Sequence, residues 1–362
     1  MAHILSISDI ELPYEINQET VMDFAREMFG QSFRDIDRLL KVFVNGQIEK
    51  RNFACGLDWF KEHHSLEEKN NTYIQQSVEH GAAAIQKCLS SGDFLKRTVS
   101  EEEIDAIILI SSTGMATPTI DARIMNKLPF SPHTKRIPIW GLGCAGGAAG
   151  LSRALDYCRA YPKSNVLVLA IELCSLTFQK DDRSKSNLVG TSIFADGIAC
   201  ALVSGEESHL LKEKKRKSTP ELLASQSTLL GDSLDVMGWD VKDDGLYVIF
   251  SKDIPTLIEN WLKPNVEKFL GSQHLQLGDI EHFVAHPGGR KVLDAYEKSL
   301  GFTEEKTRLS LEVLREHGNM SSATILYVLK RFMESEADEG ELGLAAALGP
   351  GFSSELLLMR WS

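Results

Sequence analysis

Three residues of reactive or hydrogen-bonding type stand where the chain must change direction. Cys144 lies in Gly-Leu-Gly-Cys-Ala-Gly-Gly, between a strand-like run and a stretch of very small residues that opens a helix. The free N–H groups and partial positive charge at a helix head lower a thiol's pKa, so a thiolate nucleophile is expected there. His286 ends the apolar run Ile-Glu-His-Phe-Val-Ala-His and precedes Pro287-Gly288-Gly289, so it sits where a buried strand stops and the chain turns. Such strand ends are where α/β proteins carry their sites. Asn319 follows Gly318 and heads the helical stretch SSATILYVLKRFME, a place where a plain helix cap is the competing role. Cys, His and Asn in this order can build an activated-thiol site, but papain-like cysteine peptidases use the same order. The three residues alone do not choose a reaction.

The elements that must position them occur twice. In the first half the apolar run Ile104 to Ser111 is followed by Cys144 and its helix, then by the runs 165–173 and 197–204. In the second half Ile280 to His286 is followed by Asn319 and its helix, then by the runs 342–351 and 354–361. From Ile104 to Cys144 is 40 residues and from Ile280 to Asn319 is 39, which suggests that Cys144 and Asn319 occupy equivalent places in two copies of one unit. Continuous apolar runs alternating with helical patterns indicate strands buried on both faces under helical layers. The expected architecture is α/β, two halves at 1–211 and 212–362 packed about a pseudo-twofold. The segment KEKKRKSTPE (212–221) reads as an exposed connector, and residues 1–95 read as a helical layer with a capping box at Ser65 and Glu68.

Composition narrows the function classes. The 362 residues are 43% hydrophobic and carry a formal net charge of −12, which disfavours general binding to nucleic acid or anionic membranes; a phosphate-bearing ligand would need a local basic patch. No basic stretch leads into an apolar core at the N-terminus, and no apolar run approaches the length of a membrane span, so a cytoplasmic protein without stable membrane association is expected. The six cysteines form no close Cys-x-x-Cys pair, which argues against a disulfide framework and a structural zinc. Papain-like enzymes would be expected to show secretory signals and paired cysteines, and neither is evident.

The ordered motifs GLGCAGG, HPGG, GNMSSA and GPGFSSELLL resemble the thiolase superfamily, and within it the type III polyketide synthases, the chalcone-synthase-like enzymes, over nearly the whole chain. That resemblance implies a thiolase fold, a duplicated five-layered αβαβα core, in a homodimer that needs neither carrier protein, metal nor other cofactor. Cys144 would hold an acyl group taken from an acyl-CoA starter, and His286 would keep the thiol ionised. His286 and Asn319 would donate hydrogen bonds to malonyl-CoA as it loses carbon dioxide, and the resulting enolate would attack the acyl-cysteine.

The same resemblance assigns a substrate pocket to Phe194, Thr177, Thr117, Val248 and Phe250, and CoA contacts to Arg38, Lys41, Gly288 and Gly289. Val248 stands where plant relatives carry a gatekeeper phenylalanine, and Thr117 replaces a methionine. Both changes remove bulk and favour a long-chain fatty acyl starter leading to tri- or tetraketide alkylpyrones. Arg34, Arg38 and Lys41 would form one basic helical stripe, weakened because Asn45 replaces a third basic residue. A carrier-protein-dependent single-condensation synthase is the nearest rival. The stretch LGDSLDVM around Ser233 looks like a phosphopantetheine attachment site but falls in an α/β context, which argues against a carrier role.

Overall fold

The computed structural model describes residues 1–362 except 252 and 336. The first half runs β1 (Ala2–Ile10), β2 (Tyr14–Asn17), α1 (Gln18–Phe29), α2 (Ile36–Asn45), β3 (Lys50–Phe53), α3 (Leu57–Lys61), α4 (Leu66–Leu89), β4 (Ala106–Ile110), α5 (Ile120–Met125), β5 (Lys135–Ile139), α6 (Gly146–Ala160), β6 (Asn165–Leu173), α7 (Lys185–Ile193) and β7 (Asp196–Gly205). The second half runs β8 (Pro220–Leu229), β9 (Met237–Lys242), β10 (Gly245–Phe250), α8 (Ile254–Ser272), β11 (His282–Ala285), α9 (Arg290–Leu300), α10 (Glu304–His317), α11 (Thr324–Glu334), β12 (Leu342–Gly349) and β13 (Ser353–Trp361). The boundary expected at 211/212 falls inside a short turn, His209–Glu213.

Nine strands hydrogen-bond in the order β11-β12-β13-β8-β1-β7-β6-β4-β5. Read outward from the middle, β1-β7-β6-β4 and β8-β13-β12-β11 are the same unit twice. In each, the first three strands are antiparallel and the fourth is parallel to the third. Among the described residues the two units hydrogen-bond to each other through the short β1/β8 pairing at Ala2 with Leu222 and His3 with Glu221. Helices α6 and α11 pack against both units, α4 covers the outer face of the first, and α8 and α9 join the core of the second. This is the five-layered αβαβα arrangement expected.

Two expectations need correction. Residues 1–95 are not a helical layer alone, because β1 is a central strand. Its serines disguise it: Ser6 and Ser8 are buried, and their hydroxyls donate to the carbonyls of Cys88 and Ala84 at the end of α4, at 2.8 and 2.7 Å. The capping box at Ser65 does open α4. Secondly, Cys144 and Asn319 are not equivalent positions. Short 3₁₀ turns, Gly143–Ala145 and Ser321–Ala323, lead into α6 and α11, and Gly143 and Ser321 share an unusual positive φ of 45° and 48°. Cys144 therefore matches Ser322, and Asn319 lies three residues earlier. The similar spacings were coincidental, since α5 and β5 fill the first interval while α9 and α10 fill the second.

The small residues after Cys144 let α6 approach closely. A Cβ added at Gly147 would meet the Ser322 carbonyl oxygen at 2.2 Å and Ile325 at 2.6 Å; one at Gly150 would meet Ile110 at 2.6 Å. Gly147→Ala should therefore destabilise by about 1–3 kcal/mol, the usual cost of overpacking. Gly271→Ala, near the end of α8 with open space around it, should be neutral or stabilising by up to about 1 kcal/mol. Denaturation midpoints at constant m-value check both signs, and a stable Gly147→Ala protein would show that the close approach is not required.

Candidate active site

Cys144, His286 and Asn319 come together on one cavity of about 440 Å³. Cys144 is carried by the turn before α6, with the Gly143 N–H donating to Ser112 Oγ at 3.1 Å. His286 follows β11, and its backbone N–H extends the β11/β12 ladder to Ala346 O at 2.9 Å. Asn319 is gripped on both sides of its backbone. Its N–H donates to Ile193 O at 2.8 Å, and its carbonyl accepts from Ala195 N at 2.9 Å.

The Asn319 side chain is oriented by its neighbours. Oδ1 accepts from Ser321 N at 2.9 Å, while Nδ2 donates to Gly288 O at 3.1 Å and lies 3.9 Å from Cys144 Sγ. The donor-and-acceptor pattern fixes which end is the amide nitrogen. One N–H is spent on Gly288, which leaves the other directed towards the sulfur and whatever is attached to it. Asn319 is thus more than a helix cap.

Burial dominates the electrostatics. It pushes the Cys144 thiol up to about 12, outweighing hydrogen bonds from Ser321 and Asn319, and pushes His286 down to about 3. Both His286 ring nitrogens are buried without a partner. Burial thus disfavours the charged form of both groups, acting against the thiolate expected from the sequence. α6 itself begins only at Gly146, two residues after Cys144. A neutral imidazole can still take the thiol proton as attack begins.

The other expected residues divide. Phe250, Gly288 and Gly289 line the cavity with the three central residues. Phe194, Thr177 and Val248 line an adjoining pocket of about 50 Å³ instead, and Phe194 stacks on Phe250 with ring centroids 5.5 Å apart, so the two rings form the shared wall. Thr117 is exposed in the loop before α5 and lines neither space. Arg38 and Lys41 are exposed on α2 and also lie outside the lining; Arg34 precedes that helix, so the three-residue stripe does not exist. Their helix reaches the cavity through Val42 and Asn45, while the cations on the lining are Lys185, Arg290 and Lys291. Arg290 is already paired with Asp294 at 2.8 Å. Ser233 is buried and donates to the carbonyls of Leu230 and Gly351, which removes the carrier-type reading of that serine.

Sequence reasoning missed the buried charges that brace the site. Arg51 is fully buried, donating to the carbonyls of Thr191 and Phe194 and to Gln18 Oε1, all at 2.7 Å. It thereby holds the segment that brackets Asn319. Burial lowers its pKa to about 9, with Asp196 opposing the shift. Glu172, a lone acid in the apolar strand NVLVLAIEL, accepts from Ser322 Oγ at 2.5 Å and Ser112 N at 3.0 Å, and burial pushes it up to about 7. A single charge inside such a strand was the available signal.

The His286 shift predicts a pH effect. Above its ordinary value of 6.5 the ring is neutral whether the chain is folded or not; as pH falls below that, only the unfolded chain takes the proton, and stability is lost. Between about pH 7.5 and 4.5 this one group should cost on the order of 2–3 kcal/mol. Unfolding free energies of the wild type and His286→Gln measured across that range should diverge by this amount, with the variant falling less steeply. Parallel curves would contradict the neutral, unpartnered ring.

The chain matches the family models for chalcone and stilbene synthases in both parts, the N-terminal domain over residues 12–207 and the C-terminal domain over 221–361. It is 56% identical over 362 residues to a Bacillus subtilis (strain 168) protein named a candidate chalcone synthase, covering 100% of this chain and 99% of the relative. It is 31% identical over 347 residues to 1,3,6,8-tetrahydroxynaphthalene synthase of Streptomyces coelicolor, covering 96% of this chain and 88% of that protein. The crystal structure of the Streptomyces coelicolor tetrahydroxynaphthalene synthase, a bacterial type III polyketide synthase, superposes with a TM-score of 0.91 at 30% identity, covering 99% of each chain. The chain belongs to the chalcone and stilbene synthase family, and is a type III polyketide synthase that condenses malonyl-CoA.

Proposed function

We propose that this enzyme extends long-chain fatty acyl-CoA starters held on Cys144 and releases tri- or tetraketide alkylpyrones. The observation that carries the starter class is the character of the cavity beside Cys144. Its accessible wall is mostly apolar, with Val42, Val189, Ile193, Met237, Ile258 and Leu348 among its residues. A flexible alkyl chain fills such a wall, and each buried methylene contributes about 0.8 kcal/mol.

In this reading His286 takes the thiol proton while Cys144 Sγ attacks the starter thioester, and CoA leaves as its thiol. Malonyl-CoA then enters. Loss of carbon dioxide leaves an electron pair on the thioester enolate, whose oxygen accepts from Asn319 Nδ2 and from the ring N–H of His286. The enolate carbon attacks the acyl carbonyl, the C–S bond to Cys144 breaks with its electron pair on sulfur, and the thiolate released is ready to attack the extended thioester and be reloaded. Lys185 and Lys291, at the cavity rim, meet the CoA phosphates together with Arg38 and Lys41 on α2. No metal or other cofactor takes part.

The proposal includes a cytoplasmic homodimer. Its support is family membership and an apolar groove of about 270 Å³ flanked by the exposed side chains of Met115 and Trp140, next to the Thr117 loop. Among the described residues no helix is long and apolar enough to cross a membrane.

Product mass spectrometry with malonyl-CoA and acyl-CoAs of graded length tests the starter class. Specificity constants should rise with chain length until the cavity is full, and pyrones should dominate. Constants that are flat with length, or highest for an aromatic acyl-CoA, would overturn the reading.

A further inference from the structure

Two side chains on the 440 Å³ cavity have fully buried polar atoms with no hydrogen-bond partner: His286 and Tyr296. His286 has its role in the reaction. Tyr296 has none so far, although it lies in α9 about two turns beyond the HPGG motif and is wholly buried. Its ring is fixed edge-on to Phe283, with centroids 5.6 Å apart and planes at 85°. A buried hydroxyl left unpaired costs about 1–3 kcal/mol, so its presence in an apolar wall calls for a partner that arrives with substrate. Burial raises the phenol's pKa, and nearby Cys144 raises it further, so the group is a hydrogen-bond donor throughout the working pH range.

The chemistry of the growing chain says when that donor is used. A saturated starter on Cys144 brings one oxygen, its thioester carbonyl, which lies among the donors of His286 and Asn319. After one condensation the chain carries a second oxygen on its β-carbon; the cavity's polar side chains other than the central three and Tyr296, namely Asn45, Lys185, Ser186, Ser251, Arg290 and Lys291, are exposed or half-buried, which leaves Tyr296 as the buried donor for it. We propose that Tyr296 Oη donates a hydrogen bond to the β-keto oxygen of the chain on Cys144, holding the diketide for the second extension. Tyr296 is then a residue that acts on extended intermediates and is indifferent to the starter. This rests on the polyketide reading of the site, but not on the identity of the starter.

The test is Tyr296→Phe, which removes the hydroxyl and keeps the ring. It should be assayed with whichever acyl-CoA the wild type turns over best, so that a failed starter assignment does not affect the outcome. Loading of Cys144, malonyl-CoA decarboxylation and the first condensation should stay within about twofold of wild type. The second extension should slow by about 3–10-fold, the size of one hydrogen bond, with diketide-derived product accumulating. An unchanged ratio of second to first extension would overturn the proposal. Equal slowing of loading and both condensations would also overturn it, because the hydroxyl would then serve the thiol or the fold.

Discussion

The site depends on how closely α6 and the turn before α11 can approach. Both elements lie in the middle layer of the molecule, and both carry part of the chemistry, with Cys144 entering from one and Asn319 from the other. The approach is possible because Gly147 leaves room for the Ser322 carbonyl oxygen, which a methyl group would meet at 2.2 Å. The pseudo-twofold supplies the two helix heads, and the glycines supply the contact. Of the two equivalent turn positions, one became the thiol and the other, Ser322, binds the buried Glu172. The symmetry is structural, and the chemistry is placed asymmetrically upon it.

A close, dry junction has an electrostatic consequence. Ions are costly there, and burial disfavours the charged forms of Cys144 and His286 alike. Buried in the same way, the Asn319 amide has a fixed orientation because Ser321 and Gly288 take its other valences. A neutral donor held in place suits an enolate oxygen, since it stabilises the charge that develops without needing to reorganise. The buried charged groups Arg51 and Asp196 are kept off the cavity lining. Arg51 reaches carbonyls of the segment that grips Asn319, and Asp196 accepts from Ser175 and Ala54.

Much of this was legible in the sequence. Long apolar strands, glycine-flanked turns and very small helix residues carry strong local signals, and they located Cys144, His286 and Asn319. The strand β1 was hidden because its serines satisfy α4 carbonyls, a contact 76 to 82 residues away that no window along the chain contains. The pocket was harder still. Phe194, Val248 and Thr177 lie one wall away from the reacting sulfur, and Arg38 and Lys41 sit on the helix that reaches the rim through other residues. Which side of a ring or helix faces a cavity depends on packing between distant segments. The unpaired hydroxyl of Tyr296 is invisible in sequence for the same reason, since a tyrosine in an amphipathic helix reads as core.

The central claim is a division of labour, with covalent acyl transfer at Cys144 and enolate stabilisation by Asn319 with His286. The most direct measurement is acetyl-CoA and carbon dioxide formed from malonyl-CoA alone by Cys144→Ala and Asn319→Ala, with thermal midpoints confirming that both are folded. Cys144→Ala should make no condensation product yet keep much of its decarboxylation. Asn319→Ala should lose decarboxylation by a factor on the order of 10²–10³, as expected when one oxyanion donor is removed. Equal loss of decarboxylation in both folded variants, or normal decarboxylation by Asn319→Ala with only a lowered midpoint, would contradict the account.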